Sequence, residues 1–133
     1  MRAVLDANVL VSALLSRGGA PAELLRRWTD GEFELVVSER LLAEVGRALR
    51  YPKIRARVVK SDASAFLTLL GDHADVVDDP VGSAPVRSRD PGDDYLVALA
   101  FAEKATIVSG DAHLLALADA IPVRTPRGFL DSL

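Results

Sequence analysis

Cysteine is absent from this chain of 133 residues, so neither disulfides nor thiolate metal ligands are available. Histidine is scarce. The two present, His73 and His113, have no metal-pair spacing, which argues against a zinc centre. Tryptophan occurs once, and Trp28 falls at helical spacing with Leu24 and Leu25, as a core residue does rather than a base-stacking platform. No long apolar run and no basic-apolar leader is present, so neither a membrane span nor a signal peptide is expected. Lack of cysteine fits a reducing cytoplasm, the expected location. There is also no excess of positive charge. Sixteen basic residues face 19 acidic ones, for a net charge of −3. A polyanionic partner would need local help, from a basic strip or from bound cations.

What the chain does contain is apolar material, 50% hydrophobic against 26% charged, the balance of a globular protein. Its length suits one domain over 1–133 with a single core. Apolar runs with strand character are expected at 3–5, 33–37, 74–77, 106–109 and 121–123. Amphipathic or apolar helices are expected after Asp6 and over 22–29, 39–50, 62–70, 93–104 and 112–118, with a further short helix near the C-terminus. The stretch 79–89, with two prolines and a glycine, reads as a loop. There is no repeat and no low-complexity segment. Strands alternating with helices predict an α/β fold with three layers, α/β/α, around a mainly parallel sheet.

The chemistry concentrates in carboxylates. Asp6 stops the apolar run Ala3-Val4-Leu5, at the edge of an α/β sheet where sites form. Asn8 is placed to cap the following helix, and Ser12 lies one turn on along the same face. Glu44 sits at the border of an apolar helical stripe beside Leu41 and Ala48, where a side chain either is solvated or reaches into a cleft. In Arg89-Asp90-Pro91-Gly92-Asp93-Asp94-Tyr95, Asp90 suits an N-cap, Pro91 the first helical position and Asp93 a capping-box acid. Asp94 is then the surplus acid. Asp111 closes the strand Ile107-Val108-Ser109-Gly110, where it either caps the next helix or joins the site, with Ser109 on the same rim. Converging carboxylates repel unless a hard cation with oxygen ligands, Mg²⁺ or Mn²⁺, holds them. Between 47 and 60 the chain carries Arg47, Arg50, Lys53, Arg55, Arg57 and Lys60 with no acid among them. That block is a solvated face, a phosphate-tracking strip or a partner-docking surface.

Four segments taken in order, VLDANVLVSALLS, LLAEVGRAL, RDPGDDYLVALA and IVSGD, resemble the PIN-domain ribonucleases over essentially the whole chain. The likeness is strongest to bacterial toxins of toxin–antitoxin pairs. Carried over by position, it implies Asp6, Glu44, Asp94 and Asp111 as an acidic quartet around Mg²⁺ or Mn²⁺. Asn8, Ser12 and Ser109 become polar helpers, and Asp93 an additional or alternative ligand. Asp94 is preferred to Asp93 because the run Asp-Tyr-Leu-Val-Ala-Leu-Ala matches the family's Asp-led helix. The resemblance further implies metal-dependent hydrolysis of single-stranded RNA, a small antitoxin partner and assembly as a homodimer. Arg47, Arg50, Lys53, Arg55 and Arg57 would then meet substrate or partner, and Arg87 and Arg89 either contact phosphate or are plain loop charges. Two rivals stand beside this reading. A phosphatase of the haloacid dehalogenase type needs a second Asp two residues after the first, where this chain has Asn8. A non-catalytic binding module of the same fold is marked by a lost acid, and all four are present.

Overall fold

The computed structural model describes residues 1–82 and 84–133. Ser83, inside the loop expected at 79–89, lies outside them. Five strands, β1 (Arg2–Leu5), β2 (Glu34–Ser38), β3 (Asp75–Val77), β4 (Thr106–Val108) and β5 (Val123–Arg124), form one sheet in the order β3-β2-β1-β4-β5. Every pairing in it is parallel. Ala3, Val4 and Leu5 of the central strand are all fully buried. Successive strand residues point to opposite faces, so consecutive burial requires helices on both. This is the expected three-layer architecture.

The helices are α1 (Ala7–Leu15), α2 (Ala20–Thr29), α3 (Glu39–Leu49), α4 (Pro52–Arg55), α5 (Lys60–His73), α6 (Asp94–Glu103), α7 (Ala112–Leu115) and α8 (Pro126–Ser132). Ser38 caps α3 as expected, its hydroxyl accepting the Leu41 N–H at 3.3 Å. Pro52 does more than end α3: it opens α4, because its fixed φ suits a first helical turn. Phe129 of α8 is fully buried and meets Phe33 edge-to-face, with ring centroids 5.2 Å apart, which ties the C-terminus to the start of β2. Trp28 is core, as expected. One expectation needs correction. The run 93–104, apolar on nearly every face, predicts a helix buried all round. Instead α6 buries Tyr95, Leu96, Val97, Leu99 and Ala100 and leaves Phe101 66% exposed. Among the described residues no helix is long and apolar enough to cross a membrane.

At the other end of the sheet Arg2 bonds three carboxylates at once. Its guanidinium reaches Glu34 at 2.7 Å, Asp75 at 2.9 Å and Glu103 at 2.9 Å, joining β1 to β2, β3 and the end of α6. A network sharing one half-buried arginine is worth more than an isolated surface pair. Arg2→Met is expected to cost about 1 kcal/mol, or about 4 °C in the thermal midpoint, at low salt. The deficit should shrink in molar salt. A loss that ignores salt would assign the effect to the packing of the side-chain stem instead.

Candidate functional site

Strands β1 and β4 are neighbours, and the chain winds outward from them in opposite directions, to β2 and β3 on one side and β5 on the other. In parallel sheets the crevice at such a reversal is where ligands bind, beyond the carboxyl ends of the strands. Asp6 leaves β1 there, and Ser109 to Asp111 leave β4. The Asp6 N–H donates to the Val108 carbonyl at 3.1 Å, so the two strand ends are in register. Asp6 is 5% exposed. One of its carboxylate oxygens caps α1 by accepting the Val9 N–H at 2.8 Å, and the other accepts the Ser109 hydroxyl. Ser109 Oγ in turn accepts the Asp111 N–H at 2.9 Å. Asp111 caps α7 through the His113 N–H at 2.8 Å. Asp6, not Asn8, is thus the cap of α1. The helix starts at Ala7, which places Asn8 already within its first turn, and Asn8 and Ser12 are both exposed.

Asp93 completes this group from the opposite side. Asp90 caps the single 3₁₀ turn at Pro91–Asp93, accepting the Gly92 N–H at 3.0 Å. Asp93 was expected to be absorbed as a capping-box acid, yet its side chain makes no capping bond. It faces the other acids. Burial, then the charges of Asp111, Asp90 and Asp6, push its pKa up to about 6. Burial also raises Asp6, helped by the Asp111 charge and opposed by the bonds from Ser109 and Val9. Asp93 Oδ2 is buried and has no hydrogen-bond donor. With both side chains ionised, Asp93 and Asp111 are two acceptors face to face. A shared proton, a bridging water or a cation relieves that conflict. Among the described residues no three Asp, Glu, His or Cys side chains stand close enough to ligate one ion as placed. The donor set is nevertheless that of a hard divalent cation: all oxygen, all carboxylate, with one buried oxygen lacking a partner.

Asp94 is a different matter. One of its oxygens accepts the Ser88 N–H at 2.9 Å and the other lies 3.8 Å from Arg87. It lines a cavity of about 270 Å³ with Arg40, Asp79, Arg87 and Tyr95, apart from the Asp6–Asp93–Asp111 group. The sequence reading prefers Asp94 for the quartet; here the Asp94 side chain turns to Ser88 and Arg87, and the Asp93 side chain turns toward Asp111 and Asp6. The two residues are consecutive around the start of α6, so they necessarily diverge, and the 3₁₀ turn aims the first at the crevice. Arg87 is engaged with Asp94 while Arg89 is exposed.

Glu44 is half-buried on α3, at the stripe border as expected, and accepts the Tyr95 hydroxyl at 2.6 Å. Burial and the Glu44 carboxylate raise the Tyr95 pKa, so the phenol stays a donor. The Arg40 guanidinium lies 4.4 Å from the centroid of the same ring. Tyr95 and Arg40 are site residues that reading the sequence did not supply. Tyr95 stands in the informative segment, but nothing local pairs it with a glutamate 51 positions earlier.

The basic block 47–60 does not form one surface. Arg47 and Lys53 line a groove of about 480 Å³ together with Asn8, Glu44 and Tyr51. Arg50, Arg55 and Lys60 line another, of about 400 Å³, against α5. Arg57 is exposed.

A family model described as "PIN domain" matches residues 2–113. An uncharacterized protein of Methanocaldococcus jannaschii is 26% identical over 141 aligned positions, covering 98% of this chain and 90% of that protein. Among solved structures, VapBC2 from Rickettsia felis bound to a DNA fragment from its promoter is similar, with a TM-score of 0.64 at 14% identity, over 94% of this chain and 98% of that one. At that identity the likeness speaks for the fold. The family model spans β1 through the start of α7, and with it every acid of the crevice, so the chain belongs to the PIN-domain family.

Proposed function

We propose that residues 1–133 form one PIN domain that hydrolyses single-stranded RNA with the help of Mg²⁺ or Mn²⁺, as the toxin of a toxin–antitoxin pair. The observation that carries the proposal is the unpartnered buried oxygen of Asp93 set against Asp111 and Asp6 at the reversal of the sheet. Asp6, Asp93 and Asp111 would hold the cation. When bound, such a cation supplies positive charge to a phosphodiester oxygen and lowers the pKa of a water. The protein's own part is to place and fix acceptors. Ser109 orients Asp6 and anchors the backbone of Asp111 in the same bond network. The Tyr95 hydroxyl holds one Glu44 oxygen and sets that carboxylate on the rim, where it can orient a water or accept its proton. Asn8 lies on the same rim, and Arg47 and Lys53 offer charge to the incoming strand. Asp94 anchors the loop that precedes α6.

The toxin reading and its corollary, a small antitoxin partner, draw support from the family and from likeness to a solved VapBC2 assembly. A module that only docks partners has less use for a half-buried carboxylate with one donorless oxygen. Such a group costs stability unless something binds it. Incubation of the purified protein with short single-stranded RNA should give cleavage with Mn²⁺ or Mg²⁺ and none with a chelator. Cleavage that survives chelation would overturn the proposal.

A further inference from the structure

We infer that Tyr51 is a stacking platform for an unpaired base of the substrate, in the groove that runs from the Glu44 rim of the site between α1, α3 and α4. The inference rests on the single-stranded RNA reading above and names how that strand is held.

Tyr51 is 68% exposed, in a chain that buries its other tyrosine. A tyrosine combines a ring that can stack with a hydroxyl that tolerates water, so it can stand exposed beside a groove without a core role. The backbone beneath it is fixed. Its N–H donates to the Ala48 carbonyl at 3.1 Å, and its own carbonyl accepts from Ile54 and Arg55 at 2.9 Å each. Pro52 locks the next φ. The ring is therefore presented from a rigid corner, which keeps the entropic cost of stacking low.

The groove wall joins Tyr51 to Asn8, Glu44, Arg47, Lys53 and Ile54. Its volume, about 480 Å³, accommodates a nucleotide. Charge decides the occupant. The 47–60 segment supplies cations without an acid, and the groove's one carboxylate is Glu44, already bonded to Tyr95. A phosphate is repelled by Glu44 but drawn to Arg47 and Lys53, whereas a neutral base is indifferent to both. The strand thus lies with its phosphates outward on the two cations and a base turned inward onto Tyr51. Stacking of a base on an aromatic tolerates any sequence, because every base has a π-face. A protein segment in the same groove would need acids to match Arg47 and Lys53, and RNA binding that depends on Tyr51 decides against it.

The test uses the full chain carrying Asp6→Asn, so that RNA is bound and not cut. A short single-stranded RNA carries a fluorescent purine analogue at successive positions. Tyr51→Ala should weaken binding about tenfold, and Tyr51→Phe should stay within about twofold of the parent. Quenching of the analogue at one position should vanish in Tyr51→Ala and persist in Tyr51→Phe. The salt dependence should be the same for the parent and Tyr51→Ala, since no phosphate contact is lost, whereas Lys53→Ala should flatten it. Thermal melts of each variant check the fold. Binding that Tyr51→Ala leaves unchanged, or no binding of RNA at all, overturns the inference and hands the groove to a protein partner. The wild-type chain is assayed for cleavage in parallel. Tyrosine-dependent binding without cleavage sinks the nuclease reading alone, and cleavage with tyrosine-independent binding sinks the stacking platform alone.

Discussion

Asp6→Asn is expected to lower divalent-cation-dependent cleavage of single-stranded RNA by about a thousandfold, while leaving the protein folded. The two halves of that expectation have separate physical origins. Asparagine is as good a helix cap as aspartate, so the bond from the Val9 N–H survives the change. Burial raises the pKa of Asp6, which means that its ionised form is a net cost to the folded state. The sign follows directly. A carboxyl whose native pKa lies above its unfolded value contributes stability at low pH and loses it as pH rises through the native value. Removing the charge relieves that cost at neutral pH, while the amide nitrogen that replaces Oδ2 can no longer accept the Ser109 hydroxyl, so the cation-free variant should melt within a few degrees of wild type. What is lost is the negative charge that would draw the proposed cation into the crevice. Measured rates of the two proteins with Mn²⁺, beside their melting curves, decide the matter. Equal rates would remove Asp6 from the chemistry. A wild type as silent as the variant would favour a binding module of the same fold.

The fold was largely legible because its signals are local. Consecutive burial of Ala3-Val4-Leu5 marks a central parallel strand, Ser38 marks a helix start, and Asp90-Pro91 marks another. Each depends on neighbours within four residues. The site was legible only as a set of candidates. Asp6 and Asp111 could be placed because strand ends in an α/β sheet have a known address, and the structure joins them through Ser109. Which of Asp93 and Asp94 turns inward could not be read. That choice hangs on the 3₁₀ turn at Pro91–Asp93, and periodicity counted as though α6 began at 93 puts both acids in the first helical turn. The Tyr95–Glu44 bond escaped for another reason. It spans two helices whose relative rotation is set by packing against the sheet, and no spacing along the chain encodes it. Exposure of Phe101 belongs with these. An apolar pattern states what a helix tolerates, and the neighbours decide which face is covered.

Asp93 and Asp94 give the sharpest separation between adjacent residues. Asp93→Asn is expected to reduce cleavage by at least about a hundredfold and to weaken Mn²⁺ binding, because it removes the acid opposite Asp111. Asp94→Asn should keep cleavage within about tenfold and cost less than about 1 kcal/mol of stability, because the asparagine oxygen still accepts the Ser88 N–H and only the charge assistance is lost. Titration adds an independent signature. The Asp93 pKa of about 6 stands above its ordinary value of 3.8. Its contribution to stability is therefore whole below about pH 4 and lost as pH rises through about 6. Without cation, wild type should lose about 1 kcal/mol from Asp93 across that window, a figure reduced for solvent screening of a half-exposed group, and Asp93→Asn should lose clearly less, keeping only what the raised Asp6 carboxyl contributes. Saturating Mn²⁺ should restore the loss in wild type at neutral pH, since whatever binds only the folded state stabilises it. Under the proposed function the same proton would set the acid limit of catalysis. Below about pH 6 it competes with the cation for Asp93, so activity should fall there and recover with more Mn²⁺. Melting curves of wild type and both variants at pH 4, 6 and 8, roughly spanning that titration, separate the two assignments. Loss of the pH slope in Asp94→Asn instead of Asp93→Asn would restore Asp94 to the crevice and reverse the assignment drawn from the side-chain geometry.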